Sequence, residues 1–345
     1  MNRKKFLKNL ALSSLAVSSF SYADFLISYY HADKIIKPAR LRKGDRLGLI
    51  APGGFITEDE LKTSVDNLEA LGFKVAYTNI ILSRNGYLAG TDEQRASDLN
   101  EMFSRNDING IVAARGGYGC TRILPLIDYN LIGKNPKILL GYSDITALHM
   151  AIYSKTGLVS FHGPVGISTF NDYSISNLKN VLVYPLDNLT LYNAKDEENK
   201  DSKSFTIISG KSSGRLVGGN LSLMVSLIGT PYDFDPSRKL IFIEEVGEQP
   251  YRIDRMLTQM IEAGKFEKAS GIILGEFIDC EPEKDDLNSF SLKEVLYKCL
   301  YNLNVPVIYG MSFGHIKNKL TLPIGINAEL NSINQTITLL ENAVK

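Results

Sequence analysis

Cysteine is scarce in this chain: Cys120, Cys280 and Cys299 are an odd number, with no CxxC pair and no Cys/His ligand spacing. That pattern excludes a disulfide framework and a zinc knuckle. Cys120 stands inside a glycine-rich motif, and a lone cysteine there reads first as a small buried apolar residue. An excess charge of one sign is missing as well, since 38 Lys+Arg balance 38 Asp+Glu. No overall basic field is left to hold nucleic acid or an anionic membrane, so small neutral or zwitterionic partners fit better. The longest apolar stretch near the amino terminus, Leu10 to Phe20, is about half of the roughly 20 residues that cross a bilayer, and no stable membrane span is expected. What remains is an ordinary globular composition, 44% hydrophobic and 22% charged over 345 residues. A chain of that length predicts two domains around two cores.

Residues 2 to 8, Asn-Arg-Lys-Lys-Phe-Leu-Lys, precede that apolar stretch, and Ser-Tyr-Ala follows it. This is the grammar of an export signal with cleavage after Ala23, and no cysteine follows to receive a lipid. Residues 1–37 are therefore read as signal and leader. An exported, periplasmic protein is expected, or a cytoplasmic one where the segment does not act as a signal.

From Leu47 the pattern runs strand, loop, helix. Leu47-Gly-Leu-Ile-Ala-Pro is an apolar run, Gly53-Gly54 turns, and Thr57 or Glu58 opens an amphipathic helix through Leu71. The unit recurs with Lys74-Val-Ala-Tyr, a helix from Glu93 to Arg105, the strand Gly110-Ile-Val-Ala-Ala, a helix from Cys120 to Ile127, and the strand Lys137-Ile-Leu-Leu-Gly. Such alternation argues for an α/β fold with an open sheet. Active sites in these sheets lie beyond the carboxyl ends of the strands, which selects the loops Pro52 to Phe55, Arg115 to Cys120 and Gly141 to Asp144. The expected division is a first domain over 38–169, a polar linker or insertion over 170–203, and a smaller mixed α/β second domain over 204–345. That second domain reads as strands at Phe205, Arg215, Lys239, Gly271, Pro306 and Thr336, with helices at Leu221 to Ile228, Tyr251 to Glu262 and Ser291 to Tyr301.

Ser143, in Gly141-Tyr-Ser-Asp-Ile-Thr-Ala-Leu-His, falls between a buried strand and a helix that starts at Asp144 or Ile145. A tight turn there would push the hydroxyl out of the sheet as a nucleophile elbow does, although G-x-S-x-G would need glycine where Ile145 stands. The same position also suits a helix cap. Arg115-Gly-Gly-Tyr-Gly-Cys lets backbone amides approach a ligand closely, but its spacing is neither a P-loop nor G-x-G-x-x-G. A nucleophilic serine needs a base and an orienting acid. His31 lies in the leader, His149 sits about two turns into the helix after Ser143, and His162 and His315 follow short strands. The acid candidates are Glu244 and Glu245.

Taken together, Ala51-Pro-Gly, Arg115-Gly-Gly-Tyr-Gly, Gly141-Tyr-Ser-Asp-Ile-Thr-Ala-Leu, Gly218-Gly-Asn-Leu, Ile243-Glu-Glu, Tyr251-Arg-Ile-Asp-Arg and Gly314-His, in that order, resemble the LD-carboxypeptidase family. That family includes muramoyl-tetrapeptide carboxypeptidase and the microcin-C self-immunity peptidases. The resemblance implies a flavodoxin-like or glutamine-amidotransferase-like first domain, a second domain with its own sheet, and a homodimer. It also implies a catalytic Ser143, Glu244 and His315, with oxyanion amides at Gly117 and Asp144 and no metal or other cofactor. Family members usually carry Glu-Asp where this chain has Glu244-Glu245, which favours Glu244 and leaves Glu245 as its rival. The implied reaction removes the terminal D-alanine from a peptidoglycan stem tetrapeptide, with Arg115 or a backbone nest facing the terminal carboxylate. Two other functions are carried forward. One is hydrolysis of a peptidyl-nucleotide antibiotic, for which Tyr173, Tyr184 and Tyr192 are the aromatic candidates in a chain without tryptophan. The other is a catalytically silent wall-peptide binding protein.

Overall fold

Five short apolar runs become the parallel strands of a first sheet in the computed structural model, which describes residues 34–194, 204–283, 286 and 288–345. They are β1 (Arg46–Ile50), β2 (Lys74–Ala76), β3 (Gly110–Ala113), β4 (Ile138–Gly141) and β5 (Ser160–His162). β3, β4 and β5 are buried at every residue, as strands covered on both faces must be. The order is β2-β1-β3-β4-β5, closed at the far edge by an antiparallel β12 (Leu322–Ile324). Its helices are α1 (Glu58–Ala70), α2 (Asp92–Ser104), α3 (Cys120–Ile123), α4 (Tyr129–Lys134) and α5 (Thr146–Thr156). Capping boxes start two of them: Thr57 with Glu60 for α1 and Thr91 with Gln94 for α2.

Three readings of the sequence are corrected here. The helix expected from Cys120 to Ile127 stops at Ile123 and tightens into a 3₁₀ turn over Leu124–Leu126, where Pro125 has no N–H to give. The helix after the serine begins at Thr146 rather than Asp144 or Ile145, because Ser143–Ile145 is itself a 3₁₀ turn. The segment taken as a linker contains α6 (Asp172–Leu182) and β6 (Thr190–Tyr192). Its polar composition hides an amphipathic pattern, with Ser174, Leu178, Val181 and Leu182 buried on one face and Asn171 capping through Ser174 N. The most polar part of that segment, 195–203, lies outside the described residues. So do the proposed signal and His31, but the last residues assigned to the leader belong to the folded body. Ile36 forms a parallel bridge with Leu158, and Lys37 Nζ pairs with Glu341 at 2.7 Å.

The second sheet takes β7 (Phe205–Ile208), β8 (Lys211–Asn220), β9 (Lys239–Val246), β10 (Gly271–Ile278), β11 (Val307–Tyr309), β13 (Asn327–Asn331) and β14 (Thr336–Leu339). With β6 its order is β6-β14-β13-β8-β9-β10-β11-β7, and β8 to β11 run parallel. Helices α7 (Leu221–Leu227), α8 (Pro250–Glu262) and α9 (Leu292–Leu300) accompany it. The sequence reading contained neither β12 nor β13, and β12 returns the chain from the second half to the edge of the first sheet. The described residues belong to one unit, and within it the second sheet docks on the start of α5. Gly219 (φ 149°) presents its backbone so closely that an added Cβ would lie 2.3 Å from Thr146 Oγ1, while Asn220 N donates to that oxygen at 3.0 Å.

Candidate active site

The turn after β4 puts Ser143 in the left-handed region, at φ 66°. A non-glycine residue held there stores local strain and needs the surroundings to enforce it. The enforcement is visible from two sides. On one side the β3 loop presses in at Gly116, where a Cβ would fall 2.8 Å from Ser143 Cβ and 3.2 Å from Asp144 N. On the other, the buried His149 ring ties the end of β4, its Nε2 donating to the Gly141 carbonyl at 2.9 Å while Nδ1 accepts from Ser160 Oγ at 2.9 Å. Ser143 is therefore an elbow and not the cap of a helix.

From the second sheet, β9 and the loop after β11 bring two more side chains to the same point. His315 Nε2 lies 3.1 Å from Ser143 Oγ, and His315 Nδ1 lies 2.7 Å from Glu244 Oε2. Glu244 is fully buried, and Tyr142 packs edge-on against His315 with ring centroids 4.9 Å apart. The three residues that the family resemblance picked out thus form one hydrogen-bonded array assembled from both sheets. Glu245 points elsewhere. Its Oε1 accepts from Asn220 Nδ2 and Val246 N, and its Oε2 from Ser222 N and Oγ, so its carboxylate is committed to the start of α7. Burial raises its proton affinity against those bonds.

The other described histidines, His149 and His162, are structural neighbours of this array. His149 works behind the elbow, as above. His162 is buried among Tyr142, Phe242 and Phe313, neither ring nitrogen has a hydrogen-bond partner among the described residues, and burial pushes its proton affinity well down. Burial likewise pushes His149 down to about 4. The consequence for stability follows from proton counting. The unfolded chain takes a proton on this histidine below about 6.5 and the native state does not until about 4, so stability is lost as pH falls through that window. Urea unfolding is expected to show wild type losing about 2 kcal/mol more between pH 7 and pH 5 than His149→Gln does. Equal losses in the two proteins would remove His149 from the acid response.

The amides of Gly117 and Asp144, expected as oxyanion donors, flank the serine. Gly54 N holds the Gly116 carbonyl at 3.0 Å, which turns the Gly117 N–H of the same peptide plane the opposite way. The Gly117 amide has no acceptor among the described residues. The Asp144 side chain braces the loop by accepting from Cys120 N at 2.9 Å, and burial raises its proton affinity. Cys120 itself is buried, as its composition-based reading held, and desolvation keeps its thiol protonated.

Beside the array, the loops after β1 and β3 enclose a cavity of about 630 Å³ lined by Gly54, Phe55, Tyr87, Arg115, Gly117 and Tyr118. It lies where the sheet order turns back, between β1 and β3, the place at which open α/β sheets bind ligands. Tyr87 and Tyr118 are exposed and meet edge to face at 5.5 Å. Arg115 supplies the positive charge and pairs with Glu60 at 3.2 Å. Sequence reasoning missed several contributors. Arg95 on α2 is fully buried and clamps two active-site loops, donating from Nη1 to the carbonyls of Pro52 and Gly119 and from Nη2 to Asp92. Tyr87 lines the cavity, and Lys319 is buried near His315. The signal for Arg95 was faint: an arginine on the apolar side of a helical pattern. Among the described residues no group of three or more His, Cys, Asp or Glu is placed to hold a metal ion, and no helix is long and apolar enough to cross a membrane.

Comparison with known proteins gives a consistent result. Residues 47–163 match the LD-carboxypeptidase N-terminal domain and residues 213–330 the LD-carboxypeptidase C-terminal domain. The chain is 40% identical over 303 residues to a Bacillus subtilis protein named "Probable murein peptide carboxypeptidase", covering 88% of this chain and 94% of that one. It is 31% identical to the murein tetrapeptide carboxypeptidase of Pseudomonas aeruginosa over 83% of this chain and 92% of the other. Among solved structures, the microcin C7 self-immunity protein in its wild-type apo state superposes with a TM-score of 0.82 at 27% identity, covering 90% of this chain and all of that one.

Proposed function

The chain belongs to the LD-carboxypeptidase family, and from that premise we propose that it is a serine carboxypeptidase removing the terminal D-alanine from peptidoglycan stem tetrapeptides. The observation that carries the reading is the hydrogen-bonded run Ser143–His315–Glu244 at a strained elbow beside an open cavity. In this mechanism His315 Nε2 takes the Ser143 proton as Oγ attacks the last peptide carbonyl. Glu244 holds Nδ1–H and faces the imidazolium that forms, and the Gly117 and Asp144 amides receive the oxyanion. The proton then passes to the departing D-alanine, and water releases the acyl-enzyme by the same path reversed. Arg115 offers the free carboxylate of the substrate a cation on the cavity wall. No metal or diffusible cofactor is needed, because the array supplies its own base.

Mass spectrometry of purified stem tetrapeptide and pentapeptide after incubation tests the reading. Loss of one alanine from the tetrapeptide alone, with chelator present or absent, is the expected result. An unchanged tetrapeptide would overturn it. The likeness to the microcin self-immunity protein and the exposed Tyr87 and Tyr118 in the cavity favour a second reading, hydrolysis of a peptidyl nucleotide whose base would stack there. Turnover of such a compound with the tetrapeptide untouched would select it. Tyr173, Tyr184 and Tyr192, suggested for that role by the sequence, are not among the cavity-lining residues. We further propose export to the periplasm through the amino-terminal segment and assembly as a homodimer, which cell fractionation and sizing chromatography check.

A further inference from the structure

Behind His315 sits a buried carboxylate that is only half answered. Glu244 Oε2 meets His315 Nδ1, whereas Oε1 is buried with no hydrogen-bond donor among the described residues. An anion in that state calls for another positive charge nearby. Lys319 comes from the same loop as His315 and is only 6% exposed. Its backbone N donates to Ser174 Oγ at 2.9 Å, and its ammonium donates to the Ile316 carbonyl, next to His315 in the chain. The ammonium also lies 5.3 Å from the centroid of the Tyr142 ring, the ring that packs against His315. Among the described residues, the carboxylate whose charge acts on it is that of Glu244.

We propose that Lys319 is a positioning residue of the array, a fixed buried cation that keeps the His315–Glu244 pair in the deprotonated form able to accept the serine proton. The inference rests on the serine-hydrolase reading above. With Lys319 charged, the resting cluster of carboxylate and ammonium is neutral. The tetrahedral stage, with imidazolium and oxyanion added, is neutral too. Without it the cluster carries a buried net negative charge at both stages, which favours taking up a proton. Burial pushes Lys319 down to about 8, so it remains a cation at pH 7.

The other groups facing the pair do not replace it. Tyr142, from the end of β4, is pushed up to about 12 and stays neutral, and so does His162 from β5, which is pushed well down. Glu245, next along β9, is turned to Asn220 and Ser222. α6 contributes Ser174, which carries no charge.

Removing a nearby cation makes proton uptake by His315 and Glu244 easier, so the titration of the coupled pair moves to higher pH. In ¹⁵N-histidine-labelled protein, the His315 titration midpoint is expected to rise by about one unit in Lys319→Met and to stay in place in Lys319→Arg. The acid limb of kcat on stem tetrapeptide should move with it, lowering kcat roughly 10-fold on the acid side of neutrality while KM changes less than about twofold. KM is spared because Lys319 does not line the cavity. An unmoved midpoint in Lys319→Met, or an equal rise in Lys319→Arg, overturns the proposal. The resonance arm needs no substrate, so a wild-type protein that releases no D-alanine defeats the carboxypeptidase reading while the titration still decides the part played by Lys319.

Discussion

Ser143→Ala is expected to lower kcat on stem tetrapeptide by roughly 10³-fold or more, with the fold unchanged. Alanine keeps the Cβ that already sits against Gly116, so neither the close approach of the two loops nor the strain of the positive φ is altered. What is lost is one oxygen whose described side-chain partner is His315 Nε2. Thermal unfolding should therefore match wild type within a few degrees, since a single half-exposed hydrogen bond contributes only about 1 kcal/mol. Steady-state kinetics beside a melting curve separates the outcomes. A variant with near wild-type turnover would take Ser143 out of the mechanism, and the array would then be a structural feature of the domain contact.

The loops around this site were legible in the sequence, because strand ends are tied to local patterns, whereas the choice of Ser143, Glu244 and His315 among the candidates came from the family resemblance. A buried strand followed by glycine or serine and then a helix locates a strand-end loop, and the three loops chosen that way are the ones that meet around Ser143. The residues that were not legible act through tertiary position. An arginine in Asp92-Glu-Gln-Arg and a lysine in Ile316-Lys-Asn-Lys look like solvated charges, yet Arg95 and Lys319 are buried once neighbouring loops close over them. The elements inside 170–203, read as a linker or insertion, escaped notice for a related reason. Four apolar-facing positions of α6 are diluted among Asn, Asp and Ser, and average composition hides a periodic pattern. β12 was missed because Leu322–Ile324 is only three residues long and includes Pro323, which an edge strand tolerates.

The paired glutamates at the end of β9 give the sharpest contrast. Successive side chains on a strand face opposite ways, so Glu244 reaches His315 while Glu245 accepts four hydrogen bonds around the start of α7. Glu244→Gln keeps the shape of the side chain but removes the negative charge that faces the imidazolium, and kcat is expected to fall roughly 10²-fold or more. Stability should fall as well, because the buried Lys319 ammonium loses the carboxylate whose charge acts on it. Glu245→Gln should cost stability without the kinetic loss. The new amide N–H₂ would meet donors from Asn220, Ser222 or Val246, costing about 1–3 kcal/mol of stability, while kcat stays within a few fold. Steady-state kinetics on the two variants, read beside urea unfolding, should therefore place the kinetic loss on Glu244→Gln alone. If Glu245→Gln instead carries the kinetic loss and Glu244→Gln keeps kcat within a few fold, the orienting acid is Glu245, and the roles of Ser143 and His315 stand unchanged.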